Sequence, residues 1–88
     1  MPNSQPLPEI TLIIELKFLK QSETEAILKA IIPDNINFPK GLSMDMHLKD
    51  DTSIFIKFSS STDIGTLINT VDEVLQDISL AEKVIIGD

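Results

Sequence analysis

Few residues in this chain are of types that do chemistry, and their spacing limits each one. His47 is the sole histidine and stands two positions after Asp45. Residues i and i+2 share one face of a strand, so the pair could offer two ligands to a metal. A zinc site takes three or four, and the chain has neither a second histidine nor a cysteine to complete one. Asp45, Asp50 and Asp51 suggest calcium by type, but the twelve-residue loop with glycine at its sixth position is missing. Asp50-Asp51 reads better as a turn. Ser59-Ser60-Ser61-Thr62 precedes a helical pattern, where anions can bind. It has no glycine-rich loop and no Gly-Lys-Ser/Thr, so caps and turn hydroxyls account for it better. A serine nucleophile there would lack a positioned base. No catalytic residue, cofactor-binding residue or metal ligand emerges. The chain reads as a non-enzyme with no cofactor and no small-molecule substrate.

Charge narrows the partners. Seven lysines and no arginine face fourteen Asp and Glu, a net of −7. A nucleic-acid binder needs a basic stripe to neutralise phosphates, and none is present. Lys17, Lys49, Lys57 and His47 fall on one polar strand face, but Glu15 and Asp45 interleave with them. That face reads as solvated rather than as an RNA platform, and it has no aromatic RNP motif and no GxxG loop. A partner with a basic surface is the better expectation.

The elements that position these residues follow from periodicity. Ile10 to Leu19 alternates, with Ile10, Leu12, Ile14, Leu16 and Phe18 on one face, which predicts a half-buried strand. Gln21 to Ile32 predicts a helix. Ser22 with Glu25 has the spacing of a capping box, and Pro33 bars further helix. The arc Ala26, Ile27, Leu28, Ala30, Ile31, Ile32 is wider than one sheet can cover. Pro33 to Gly41 reads as loop, with Ile36 and Phe38 pinning it to the core edge. Leu42 to Lys49 alternates again, Asp50-Asp51 turns, and Ile54, Ile56 and Phe58 continue the apolar face, so a hairpin is predicted. Met44 and Met46 fill gaps in that face. Thr62 or Asp63 can cap the last helix. Its expected core stripe is Ile64, Leu67, Ile68, Val71, Val74, Leu75 and Ile78, with Asp72, Glu73 and Asp77 on its solvated back.

The order β-α-β-β-α predicts an α+β, two-layer fold. A three-stranded antiparallel sheet in the order 1-3-2 carries both helices on its apolar face. Residues 10–88 make one domain. Residues 1–9 read as a flexible N-terminal tail because Pro2, Pro6 and Pro8 oppose regular structure. That stretch has no basic segment and no apolar run of a signal peptide. No apolar run approaches the roughly 20 residues of a membrane span. The absence of cysteine rules out disulfides and fits a cytoplasmic setting.

Two open sheet edges and the wide arc of the first helix predict a dimer. Leu80 and Val84 fall opposite the core stripe if the last helix runs unbroken. Ser79 with Glu82 could instead start a new short helix.

Four features together resemble the Pcc family, the small dimerising subunit of the KEOPS complex. They are the element order, the helix-terminal Pro33-Asp34-Asn35, the hairpin before the last helix, and Asn69-Thr70 within Leu67-Ile-Asn-Thr-Val71. The resemblance spans Ile10 to about Ile85. It implies a non-catalytic scaffold that supports threonylcarbamoyl-adenosine formation in tRNA. Such a subunit docks its helices on the KEOPS catalytic subunit and meets tRNA only indirectly. The resemblance places partner docking on Leu28, Ile32, Asn69, Glu73, Leu80 and Val84, and implies a homodimer or a heterodimer with a Pcc paralogue. The family has an arginine about four residues before the helix Asn. Gly65 stands there, as in a divergent paralogue. The alternative is a freestanding small protein- or RNA-binding module with a KH-like or half-ferredoxin fold. It would use the sheet face bearing Lys17 and Lys57.

Overall fold

A computed structural model describes residues 9–31 and 37–87. The elements are β1 (Ile10–Lys17), α1 (Gln21–Ala30), β2 (Leu42–Asp50), β3 (Ser53–Ser60) and α2 (Ile64–Ile85). The three strands form one antiparallel sheet in the order β1-β3-β2. Both β1 and β2 therefore pair with β3, as the element order predicts.

β3 is central because both of its edges are paired, and its inward residues are the most deeply buried of the sheet. Ile54, Ile56 and Phe58 are fully buried. Burial of each contributes about 1.5–3 kcal/mol before entropy is counted. Opposite them, Leu12, Ile14 and Leu16 of β1 and Met44 and Met46 of β2 are partly buried against the same core. From above, Ile27 and Ile31 of the α1 segment and Leu67, Val71, Val74 and Ile78 of α2 complete it.

β1 pairs without a break from Ile10–Ser60 to Lys17–Ser53. It ends at Lys17, two residues before the expected end, although Phe18 N–H still donates to Thr52 C=O at 2.8 Å. β2 carries an irregularity between Leu48 and Asp50, just before the hairpin turn. Asp50 Oδ1 accepts the Thr52 backbone N–H at 3.0 Å and so closes that turn through its side chain. The bond holds the Asp50 carboxyl below the usual carboxylate range.

The predicted capping box at Ser22 and Glu25 does not form. The N-cap of α1 is Lys20, without a side-chain cap, so Ser22 already lies in the first turn. The phase is set from the buried side. Thr24 and Ile27 face the core, and the buried Thr24 hydroxyl donates to Lys20 C=O at 2.8 Å. Glu25 instead accepts from Gln21 Nε2 at 3.0 Å, one turn apart. α1 ends at Ala30, and Ile31 N–H closes on Ile27 C=O at 3.1 Å. Ile32, Pro33 and the Asp-Asn after it lie outside the described residues, as does the tail up to residue 8.

Gly41 enters β2 with φ +87°, where an L side chain is strained. Its carbonyl accepts Ser61 N–H at 2.9 Å, which ties the start of β2 to the end of β3. Phe38 packs partly buried against the core, as expected of it, whereas Ile36 lies outside the described residues.

Candidate partner-docking surface

α2 is the axis of the candidate surface, and its ends are well defined. Asp63 is the N-cap. Its Oδ1 accepts Thr66 N–H at 2.8 Å, and its Oδ2 accepts the Thr66 hydroxyl at 3.0 Å. Those bonds, the backbone one foremost, hold the Asp63 carboxyl below the usual carboxylate range. The helix then runs unbroken to Ile85, where Ile86 N–H closes on Glu82 C=O at 2.8 Å. No second helix starts at Ser79.

Gly65 is the second residue of this helix. A Cβ there would stand 3.2 Å from Asp63 Oδ1, the oxygen that accepts Thr66 N–H. Glycine leaves room for the cap at that point.

Three faces run along α2. The core face holds Leu67, Val71, Val74 and Ile78, with Thr70 buried beside them and its hydroxyl donating to Thr66 C=O at 2.9 Å. Ile64, Ile68 and Leu75 are exposed, which corrects their assignment to the core. At about 100° per residue they lie roughly 60–100° round the helix from Leu67. The expected stripe was too wide: the buried apolar residues occupy an arc of only about 60°. Ile64, Ile68 and Leu75 form an uncovered apolar flank instead.

The third face lies opposite the core. Asn69, Glu73, Leu80 and Val84 share it within an arc of about 60°. All four are exposed, with Leu80 at 60 % and Val84 at 84 % of full exposure. α2 therefore brings together four of the six residues assigned to docking. Leu28 is not among them: it sits on α1, partly buried against the core. Ile32 lies outside the described residues.

The open face of the sheet has a different character. His47 stacks on Phe55 of the neighbouring strand, with ring centroids 5.0 Å apart and planes at 27°. His47 Nδ1 also lies 3.5 Å from Asp45 Oδ2. Lys49 Nζ on β2 donates to Glu15 Oε1 on β1 at 2.8 Å, spanning the central strand. Lys49 and Glu15 thus pair charges of opposite sign on this face. Among the described residues no cluster of three or more His, Cys, Asp or Glu could hold a metal. No helix there is long and apolar enough to cross a membrane.

Sequence reasoning missed the Ile64, Ile68 and Leu75 flank, and it missed Leu19, which is 94 % exposed. Leu19 did leave a signal. It is an apolar residue on the polar phase of an alternating strand, directly after inward-facing Phe18.

No protein-family profile matches the chain, and no curated protein matches it in sequence. A solved structure does. A chain of the crystal structure described as the binary complex Gon7-Pcc1 is similar in fold, with a TM-score of 0.73 and 20 % sequence identity. The match covers 85 % of this chain and 90 % of that one. The resemblance to the Pcc family read from the sequence thus extends to the three-dimensional fold.

Proposed function

We propose that this chain is a non-catalytic scaffold and dimerisation subunit of a KEOPS complex. It supports threonylcarbamoyl-adenosine formation in tRNA by docking its helices on the catalytic subunit. The observation that carries the reading is the fold shared, over most of both chains, with a chain of the Gon7-Pcc1 complex. The helix layer supports it, because α2 leaves apolar residues uncovered on two faces. The net charge of −7 favours a basic partner surface and disfavours direct contact with tRNA, which the chain meets only through the complex.

In this reading the chain works in the cytoplasm, as a homodimer or paired with a Pcc paralogue. Asn69, Glu73, Leu80 and Val84 form the α2 part of the docking surface, with Leu28 and Ile32 as the α1 contribution. Gly65 marks where docking differs from that of relatives bearing an arginine.

The test is removal of the chain from its native source, followed by mass spectrometry of tRNA nucleosides. Threonylcarbamoyl-adenosine is expected to fall and to recover when the chain is restored. An unchanged level without the chain would reject the reading.

A further inference from the structure

The start of α1 and the end of α2 meet at one end of the molecule and, with the last residues of β1, line an open, shallow cleft of about 450 Å³. Lys17, Phe18, Leu19, Glu23, Glu82 and Ile86 line it. Three are apolar. Two are glutamates from different helices, and both side chains are half-buried. Among the described residues neither glutamate carboxylate has an ion-pair or hydrogen-bond partner; the ion pair is Lys49–Glu15, and His47 lies beside Asp45. Among the described residues Lys17 is the one cation lining the cleft, and its charge also acts on Asp50 at the hairpin turn. Lys20 adjoins the walls in sequence but is exposed and does not line this cleft; Lys83, also exposed, lies with Ser79, Glu82 and Ile86 along the adjoining hollow, on the other side of Glu82.

Two unpartnered carboxylates beside an apolar floor call for a cation with an apolar stem. A lysine ammonium is a compact, strongly hydrated charge. A guanidinium is planar, is less strongly hydrated, and can donate to two carboxylates at once. Its flat face also suits an aromatic ring such as Phe18. We propose that this cleft receives an arginine side chain presented, with an apolar neighbour, by a basic segment of a protein partner. The chain has no arginine of its own to fill it. The inference stands independently of the KEOPS reading.

The probe is the dipeptide acetyl-Leu-Arg-amide, titrated into the full-length ¹⁵N-labelled chain at low salt. The control is the same peptide with citrulline, which keeps the shape and removes the charge. Saturable amide shifts are expected around Leu19, Glu23, Glu82 and Ile86, with at least tenfold weaker binding of the citrulline peptide. A Glu23→Gln/Glu82→Gln chain is expected to lose at least tenfold in affinity for the arginine peptide. Equal binding of the two peptides, shifts centred elsewhere, or no saturable shift would overturn the proposal. So would full affinity in the double variant. The comparison of the two peptides on the unaltered chain decides the matter even if the variant folds poorly. None of these failures touches the tRNA measurement above.

Discussion

Leu67 and Ile68 are neighbours in the chain and opposite in environment: Leu67 is 1 % exposed and Ile68 is 55 % exposed. One step of about 100° round α2 carries an apolar side chain from the centre of the core to an uncovered flank. A single helix thus carries a covered apolar face and a bare one. Leu67→Ala is expected to cost about 2–5 kcal/mol, because the surrounding core collapses only partly onto the cavity. Ile68→Ala should change stability by no more than about 0.5 kcal/mol, as for surface substitutions generally. Urea titration monitored by circular dichroism measures both. A large loss from Ile68→Ala in the isolated chain would place that residue in the fold rather than on a docking flank.

The Asp63 cap predicts a pH dependence. Its carboxyl is held below its unfolded value by the Thr66 N–H and hydroxyl. The stabilisation is therefore complete above the unfolded pKa and is lost as pH falls through the lower folded value. Asp50 acts in the same direction through Thr52. The melting temperature should accordingly fall as pH drops below the ordinary aspartate range near 3.8. Asp63→Ala should melt lower than the unaltered chain at neutral pH and show a smaller further loss on acidification. Asp63→Asn keeps an accepting oxygen and should lie between them. An unaltered acid dependence in Asp63→Ala would show that the cap contributes nothing to it.

Two glycines make contrasting predictions. At Gly41, φ is +87° and a Cβ would meet Ser61 Oγ at 2.9 Å. Gly41→Ala should therefore cost about 1–2 kcal/mol from backbone conformation alone. At Gly65 the backbone is helical, and alanine would ordinarily gain about 1 kcal/mol. The contact with Asp63 Oδ1 should reduce that gain, and Gly65→Ala in an Asp63→Ala background should recover it. Equal effects of Gly65→Ala in both backgrounds, measured by thermal melts, would contradict the link between this glycine and the cap.

Lys49 and Glu15 join the two outer strands across β3, and both ends are solvent-accessible. The hydrogen bond that Lys49 donates to Glu15, reinforced by the carboxylate's charge, raises the Lys49 pKa. Its contribution is present below the unfolded lysine pKa and is lost as pH rises through the higher folded value. Exposed pairs contribute little, since water and salt screen them. Lys49→Met should melt within experimental scatter of the unaltered chain at physiological salt. A clear loss would mean that this bridge organises the sheet.

Much of the fold was legible because its signals are local. The alternation through β1 and β2, Pro33 after α1 and the turn-forming Asp50 mark the elements. The order 1-3-2 then follows from giving both outer strands an antiparallel neighbour. Helix phase was less legible. Ser22 and Glu25 match a capping box by spacing, but the buried contacts of Thr24 and Ile27 decide where α1 begins. Ile64, Ile68 and Leu75 look like core because a helical pattern cannot tell a covered flank from one left bare. The face shared by Asn69, Glu73, Leu80 and Val84 could be read only if α2 was continuous. The cleft at Glu23 and Glu82 joins residues nearly sixty positions apart, and no local pattern announces it.

The most direct test of the central claim is affinity purification of the tagged chain from its native source, with mass-spectrometric identification of what comes with it. The scaffold reading predicts recovery of the KEOPS catalytic subunit and, if the dimer is mixed, of a Pcc paralogue. It also predicts that Leu80→Asp/Val84→Asp, on the exposed back of α2, reduces recovery of the catalytic subunit while the chain stays folded. Recovery of the folded, unaltered chain without any KEOPS component would contradict it.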